Sequence, residues 1–411
     1  MSIARKIFCV AASFALPIIV LGYLVVRNIN EHITFARYEL AGTAYQRPLV
    51  ALLRDIQDHQ RLSSRCAGPG GCARTKAALE DSIRGELAAL RAVDQRYGRL
   101  LQFTAEGLAK RGRQLATPHN VVRGWERLAS LPGIGSPVPT AERDAAFDGL
   151  VAIIQTMITH VNDTSNLILD PELDTYHLVI AATMLLPKTE ERLARVMREA
   201  VSDRTVLATQ AAFLEEAERD QIKFHLDTAL SENKNQFHEV LDSFQKDVPV
   251  AYAEYAESVD RFIAMTRRLA RGPGGGPALD DYMPAGTKAR NASFRLWETS
   301  VDELDKLIAA RILYYERRRA TALALSGLAL LLACLLAYRI AASLIRPLDR
   351  LSGLLTPGAD VLDRSVRKLA AFSQDGARDL TTMRILCDEL DAHADAMRKT
   401  ARGLASIVNG E

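Results

Sequence analysis

Two arginines one helical turn apart are the residues of this chain best placed to do chemistry. On a helix, Arg61 and Arg65 face the same way, and their guanidinium groups together can hold an anion such as a carboxylate or nitrate. Trp125 is the aromatic wall expected for such a pocket. The plainer reading is a pair of solvated cations at a helix end, where positive charge suits the dipole. Asn166, Asp170 and Tyr176 form a second candidate set. There Asp170-Pro171-Glu172 reads as a helix start. Asp caps free amides, Pro fits the first turn, and acids suit the positive end of the dipole. The carboxylates of Asp170, Glu172 and Asp174 offer a cation site instead, but the Asp/Asn/Gly rhythm of a calcium loop is missing.

Cys66 and Cys72 bracket an Ala-Gly-Pro-Gly-Gly turn, a spacing suited to a disulfide in an oxidising compartment. Two unrelated thiols or a metal pair are the alternatives, and no His or further Cys is placed to complete a zinc set. Metal and cofactor are therefore not expected. Neither His-Glu-x-x-His nor Gly-x-Ser-x-Gly occurs. The glycine-rich stretch of residues 271–277 has no Gly-Lys-Ser/Thr after it and no strand before it, so it is no phosphate cradle. The chain reads as a non-enzyme.

The elements that must position these residues are helical. Ala, Leu, Arg and Glu dominate the 411 residues, aromatics are 6%, and alternating runs of Val, Ile and Thr are absent. Charges nearly balance, 52 basic against 50 acidic, which argues against a nucleic-acid partner. Residues 7–26 and 320–338 carry no charge and are each long enough to cross a bilayer as a helix. The first is expected to be a retained anchor, because Leu24-Val-Val-Arg27 offers no small-residue cleavage site. Arg5 and Lys6 favour a cytoplasmic N-terminus; Arg317, Arg318 and Arg319 oppose it. Long loops cross largely regardless of charge, so both termini are expected inside and residues 27–319 outside.

That loop reads as helix after helix. Leu49, Leu52, Leu53 and Ile56 mark one face. Leu79, Ile83, Leu87, Leu90, Tyr97, Leu101 and Leu108 mark another, up to the break at Thr117-Pro118. Phe147, Leu150, Ile154, Met157, Val161, Thr164 and Ile168 step by three and four. A last helix carries Trp297, Val301, Leu304, Ile308 and Tyr315 toward the second span. The loop exceeds one four-helix bundle, so two stacked modules or one very long bundle are expected. After residue 338, Thr356-Pro357-Gly358 is expected to interrupt the helix. From Leu362 to Val408 a seam of alternating four- and three-residue steps suggests a self-associating coiled coil, with a helix folded on itself or on the membrane as the alternative.

Three stretches carry a resemblance to bacterial transmembrane sensors, the methyl-accepting chemotaxis proteins and related kinases and cyclases. Leu49-Val-Ala-Leu-Leu-Arg-Asp-Ile-Gln-Asp-His-Gln-Arg-Leu-Ser63 is similar to the start of nitrate-sensor-like helical domains, with Gln60-Arg61 where they usually read Arg-Gly. Asp163-Thr-Ser-Asn-Leu-Ile-Leu-Asp-Pro-Glu-Leu-Asp-Thr-Tyr176 resembles the Ser-Asn-Leu-Ile-Leu-Asp-Pro segment of many such regions. Arg346-Pro347-Leu348 looks like the opening of a HAMP linker, here residues 339–356, ahead of a tail of residues 357–411. The resemblance implies an all-α, multi-pass receptor of the bacterial inner membrane, dimeric, with a periplasmic sensory domain and a cytoplasmic signalling partner. Neither a methylation hairpin, a phospho-accepting His with its nucleotide-binding domain, nor a Gly-Gly-Asp/Glu-Glu-Phe cyclase stretch is present to supply output. The alternative is a membrane-anchored structural or adaptor protein with no small ligand.

Overall fold

The computed structural model describes residues 3–65, 73–131, 140–170, 173–232, 238–271 and 276–375, with short helical stretches between 384 and 402. Every regular element among the described residues is helical. The helices are α1 (Ile3–Arg65), α2 (Ala73–Tyr97), α3 (Ala105–Lys110), α4 (Pro118–Ser130), α5 (Thr140–Thr164), α6 (Leu173–Val179), α7 (Leu186–Ser202), α8 (Leu207–Ala212), α9 (Asp220–Glu232), α10 (His238–Ala270) and α11 (Leu279–Asp375). Wider π-helical turns join α6 to α7 and α8 to α9. The chain divides into two compact units, one of Asn28–Arg319 and one of Met1–Arg27 with Ala320–Glu411.

In the larger unit, α1 and α11 run antiparallel side by side, and as one residue number rises its partner falls in step. Arg319 donates to Asn30 at 3.0 Å, and His32 stacks on Tyr315 at 4.8 Å. Further along, Arg47 pairs with Asp302 and Asp305 at 2.7 and 2.6 Å. Arg54 lies 3.9 Å over the Phe294 ring, and Arg61 donates to Thr287 at 2.6 Å. The apolar stripes explain the pairing. Leu49, Leu52, Leu53 and Ile56 of α1 and Val301, Leu304 and Ile308 of α11 are fully buried. Burying side chains of this size is worth about 1.5–3 kcal/mol each, which makes this pair the spine of the unit. The stripe of α5 is buried through Phe147, Leu150, Ile154, Met157 and Val161, and these residues join the same core cluster as those of α1 and α11. Gly42 lets the segment just after α5 approach α1 closely, since a Cβ there would sit 2.5 Å from Ser165 and 2.8 Å from Leu167.

Local signals set the breaks. The apolar spacing that runs on to Leu108 does not make one helix. It stops at Tyr97, Gln102 takes a left-handed φ of 57°, and Thr104 caps α3 by accepting from the Gly107 amide. Thr117 caps α4 through the Asn120 amide, with Pro118 in the first turn.

In the smaller unit, large apolar side chains face outward on both helices, among them Leu16, Ile19, Leu21 and Leu24 of α1 and Leu325, Leu331, Leu335 and Leu336 of α11. Gly22 abuts Ser326, whose hydroxyl would lie 3.1 Å from an added Cβ. Among the described residues one stretch, Leu279–Ile340, is long and apolar enough to cross a membrane. The interruption expected at Thr356-Pro357-Gly358 is absent, because α11 continues as helix to Asp375. In the tail, Lys368 Nζ lies 2.6 Å from Glu389. A straight helix would hold positions so far apart about 30 Å from each other, so these two residues do not belong to one straight helix. The seam residues Leu380, Met383, Cys387 and Leu390 lie outside the described residues, as do Cys66 and Cys72.

Candidate functional site

Two clusters of buried polar side chains lie along the α1–α11 pair. The first centres on Arg290, which is 3% exposed. Its Nη1 pairs with Asp58, and its Nη2 donates to Gln57 Oε1 at 3.2 Å. Its Nε stands 3.5 Å from the carboxylate of Glu190 on α7. Glu190 is fully buried, and neither of its oxygens accepts a hydrogen bond. Burial pushes its carboxyl up to about 7, with Arg290 and the nearby Ser293 hydroxyl pulling the other way and Asp58 adding to the rise. Gln60 extends the cluster by donating to Asp144 of α5 and accepting from Arg198 of α7, both at 3.2 Å. Chemically, the cluster offers a carboxyl poised to exchange a proton near neutral pH, inside the junction of four helices.

The second cluster centres on Arg311, also 3% exposed. Its Nη1 donates to Glu39 of α1 at 3.1 Å, its Nη2 donates to Asp170 at 3.1 Å, and Thr175 of α6 accepts from the same Nη2. One guanidinium thus ties α11 to α1 and to both sides of the Asp170-Pro171 step. Truncating one partner of such a buried set strands the rest, at about 3–5 kcal/mol. Between the two clusters, Gln46 donates to Asn162 Oδ1, and Asn162 Nδ2 donates to the Thr183 carbonyl at 3.0 Å.

The sequence candidates meet separate partners. Arg61 is held by Thr287 and, at 3.3 Å, by Asp58. The side chain of Arg65 lies outside the described residues. Trp125 is buried on α4 with its ring nearly perpendicular to that of His59, centroids 5.0 Å apart. His59 and Arg61 are about 200° apart around α1, so Trp125 and Arg61 line different faces and the expected aromatic wall is not formed. Asn166 takes a left-handed φ of 65° that ends α5, a conformation Asn tolerates. Asp170 is engaged by Arg311 through both oxygens, at 3.1 Å each. Tyr176 is half-buried and lies edge-on to His177 at 5.3 Å.

Sequence reasoning missed Arg290, Glu190, Arg311 and Glu39. Arg290 and Arg311 do continue the three-and-four rhythm of Trp297, Val301, Leu304 and Ile308, and a charge on an apolar stripe was the available signal. A cleft of about 500 Å³ opens between α10 and the start of α11, lined by Arg261, Met265, Arg268, Asp280, Asp281 and Lys288. Its three cations, Arg261, Arg268 and Lys288, share the lining with two carboxylates, Asp280 and Asp281. A second cleft, of about 600 Å³, runs between α4 and α5 past Arg127, Gly124 and Gly149. Among the described residues, no three His, Cys, Asp or Glu groups converge to hold a metal ion. No family model, curated relative or solved structure matches the chain.

Proposed function

We propose that this chain is a transmembrane signal-transduction receptor. Residues 7–26 and 320–338 span the inner membrane, the Asn28–Arg319 unit faces the periplasm, and the tail engages a cytoplasmic signalling partner from within a homodimer. The observation that carries the reading is the antiparallel α1–α11 pair. Each of its helices carries an apolar, outward-facing stretch in the chain beyond the unit, and buried charges rather than apolar contacts alone fix its register. A stimulus that favours one packing of these helices over another shifts the population and moves the pair. Buried ionic clusters suit such a device, because they specify an arrangement while adding little net stability.

A small anion is the favoured stimulus, with the α10–α11 cleft and its Arg261, Arg268 and Lys288 in place of Arg61 and Arg65. The test uses the full chain in lipid nanodiscs, with Ala392→Cys in the tail of each protomer as a cross-linking reporter. One small anion from a broad panel should raise the melting temperature and change the cross-linking rate, and Arg268→Ala should abolish both effects. If no anion stabilises the chain, or a stabilising anion leaves cross-linking unchanged, the receptor reading fails.

A further inference from the structure

Glu190 of α7 is buried beside two groups of α11 with a set of hydrogen bonds left unmade between them. Neither carboxyl oxygen of Glu190 has a donor, and neither Arg290 Nε nor the Ser293 hydroxyl has an acceptor. Arg290 Nε stands 3.5 Å from Glu190 Oε2, too far for a charge-assisted hydrogen bond. The other guanidinium nitrogens are taken by Asp58, Gln57 and the Arg54 carbonyl of α1. We propose that Glu190 is a proton-binding site through which pH sets how closely α7 packs on the α1–α11 pair.

A fully buried carboxyl with no donor is costly to ionise, so the arrangement seen here is that of the protonated acid. The ionised form needs donors, and the two unused ones lie three residues apart on one face of α11. Closing the Arg290 gap to about 2.9 Å is a movement of about 0.6 Å, and it serves the carboxylate and the guanidinium together. The proton passes to solvent water, and the closed ion pair takes its place. Helix α7 begins where the backbone ladder is already broken. Pro187 has no amide, and the turn before it, Ile180–Leu185, is π-helical. Asn162 holds the Thr183 carbonyl at 3.0 Å, which gives α7 a fixed point about which to shift.

Arg290 and Ser293 of α11 and Asp58 and Arg54 of α1 are the groups that face the carboxyl. The charged groups of the neighbouring elements are engaged elsewhere. Asp148 of α5 meets α7 at Arg198, 3.5 Å away and two turns further along. Gln210 of α8 accepts from Arg192 at 3.2 Å, and Glu215 of the turn between α8 and α9 pairs with Arg267 of α10. Burial raises the Glu190 carboxyl to about 7, outweighing the opposing pull of Arg290, so the open form prevails below that pH and the closed form above it. The switch belongs to the Asn28–Arg319 unit and does not rest on the receptor reading.

The experiment follows the full chain in detergent from about pH 5 to about pH 8 by difference infrared spectroscopy and by the emission of Trp297. Trp297 lies one turn from Ser293 on α11, and Trp125→Phe leaves it the sole tryptophan. The C=O stretch of a protonated carboxyl should fade as pH rises, and the Trp297 emission should change with the same midpoint. Glu190→Gln, neutral and of the same shape, should remove that infrared change and hold the emission at its low-pH value throughout. Ser293→Ala takes away a donor that serves the ionised form, so it should move both midpoints to higher pH. An unchanged helical circular dichroism spectrum shows that each variant is folded. A pH response that survives Glu190→Gln would overturn the proposal. So would either signal without the other, or midpoints that Ser293→Ala leaves in place.

Discussion

Asn162 donates through its Nδ2 to the carbonyl of Thr183 at 3.0 Å, the carbonyl that Pro187 leaves without its α-helical donor. In a regular helix the amide of residue 187 would reach back four positions to Thr183, and proline has none. The chain adapts in two ways. The turn Ile180–Leu185 widens, so that the Leu186 amide reaches Ala181, and a side-chain amide from α5 serves Thr183. Asn162 is itself fixed by Gln46 of α1, so one defect in the α6–α7 segment locks three elements together.

Removing that amide should therefore be expensive. Asn162→Ala leaves the Thr183 carbonyl and the Gln46 amide buried without a partner, at about 1–3 kcal/mol each. In the Pro187→Ala background a backbone donor becomes available, and the same substitution should cost at least about 0.5 kcal/mol less. A double-mutant cycle in urea measures the difference, and strict additivity would show that the proline and the asparagine are not coupled.

Glu190 should make stability depend on pH. Its carboxyl is raised from 4.5 to about 7 in the folded protein, so between those values the folded state holds a proton that the unfolded state has released. Stability from this group is fully present below about pH 4.5 and is lost as pH rises through about 7, a change on the order of 3 kcal/mol. Glu190→Gln should flatten that part of the profile and be the more stable form at pH 8. Equal slopes for the two proteins between pH 5 and 8 would contradict the assignment.

Arg311 should be the least replaceable cation of the larger unit. Arg311→Met keeps the volume but strands Glu39 and Asp170, both buried, in an apolar surround. Unfolding free energy should fall by about 3–5 kcal/mol. Replacing the exposed Arg37, which pairs with Glu316 at 3.0 Å, should cost under about 1 kcal/mol. Chemical denaturation of the two variants side by side makes the comparison, and similar losses would show that burial of the Arg311 cluster does not set its weight.

Helical periodicity made the all-α class and most core faces legible. Leu49, Leu52, Leu53 and Ile56 read as one face and are buried as one. Periodicity carries no stop signal, and the rhythm running on to Leu108 hid the end of α2 at Tyr97, where the Thr104 cap was the informative residue. The candidate site was less legible for a tertiary reason. Arg311 draws its partners from positions 272 and 141 residues away, and spacing along one helix cannot name them. Arg61 and Trp125 were grouped as chemically compatible, yet the helical rotation between Arg61 and His59 turns them to different faces. Asp170 read as a cap because its local sequence fits one, while the arginine that engages both its oxygens lies on another helix.

Sidedness tests the receptor reading most directly, since a signal can cross only if the larger unit and the tail lie on opposite faces of the membrane. Single cysteines at Ser231 and Ala392, both exposed, are introduced into a chain with its own cysteines replaced, and intact cells are treated with a membrane-impermeant maleimide. Ser231→Cys should label in intact cells, and Ala392→Cys should label only after the membrane is opened. Labelling of both sites in intact cells, or of Ala392→Cys alone, would contradict the account.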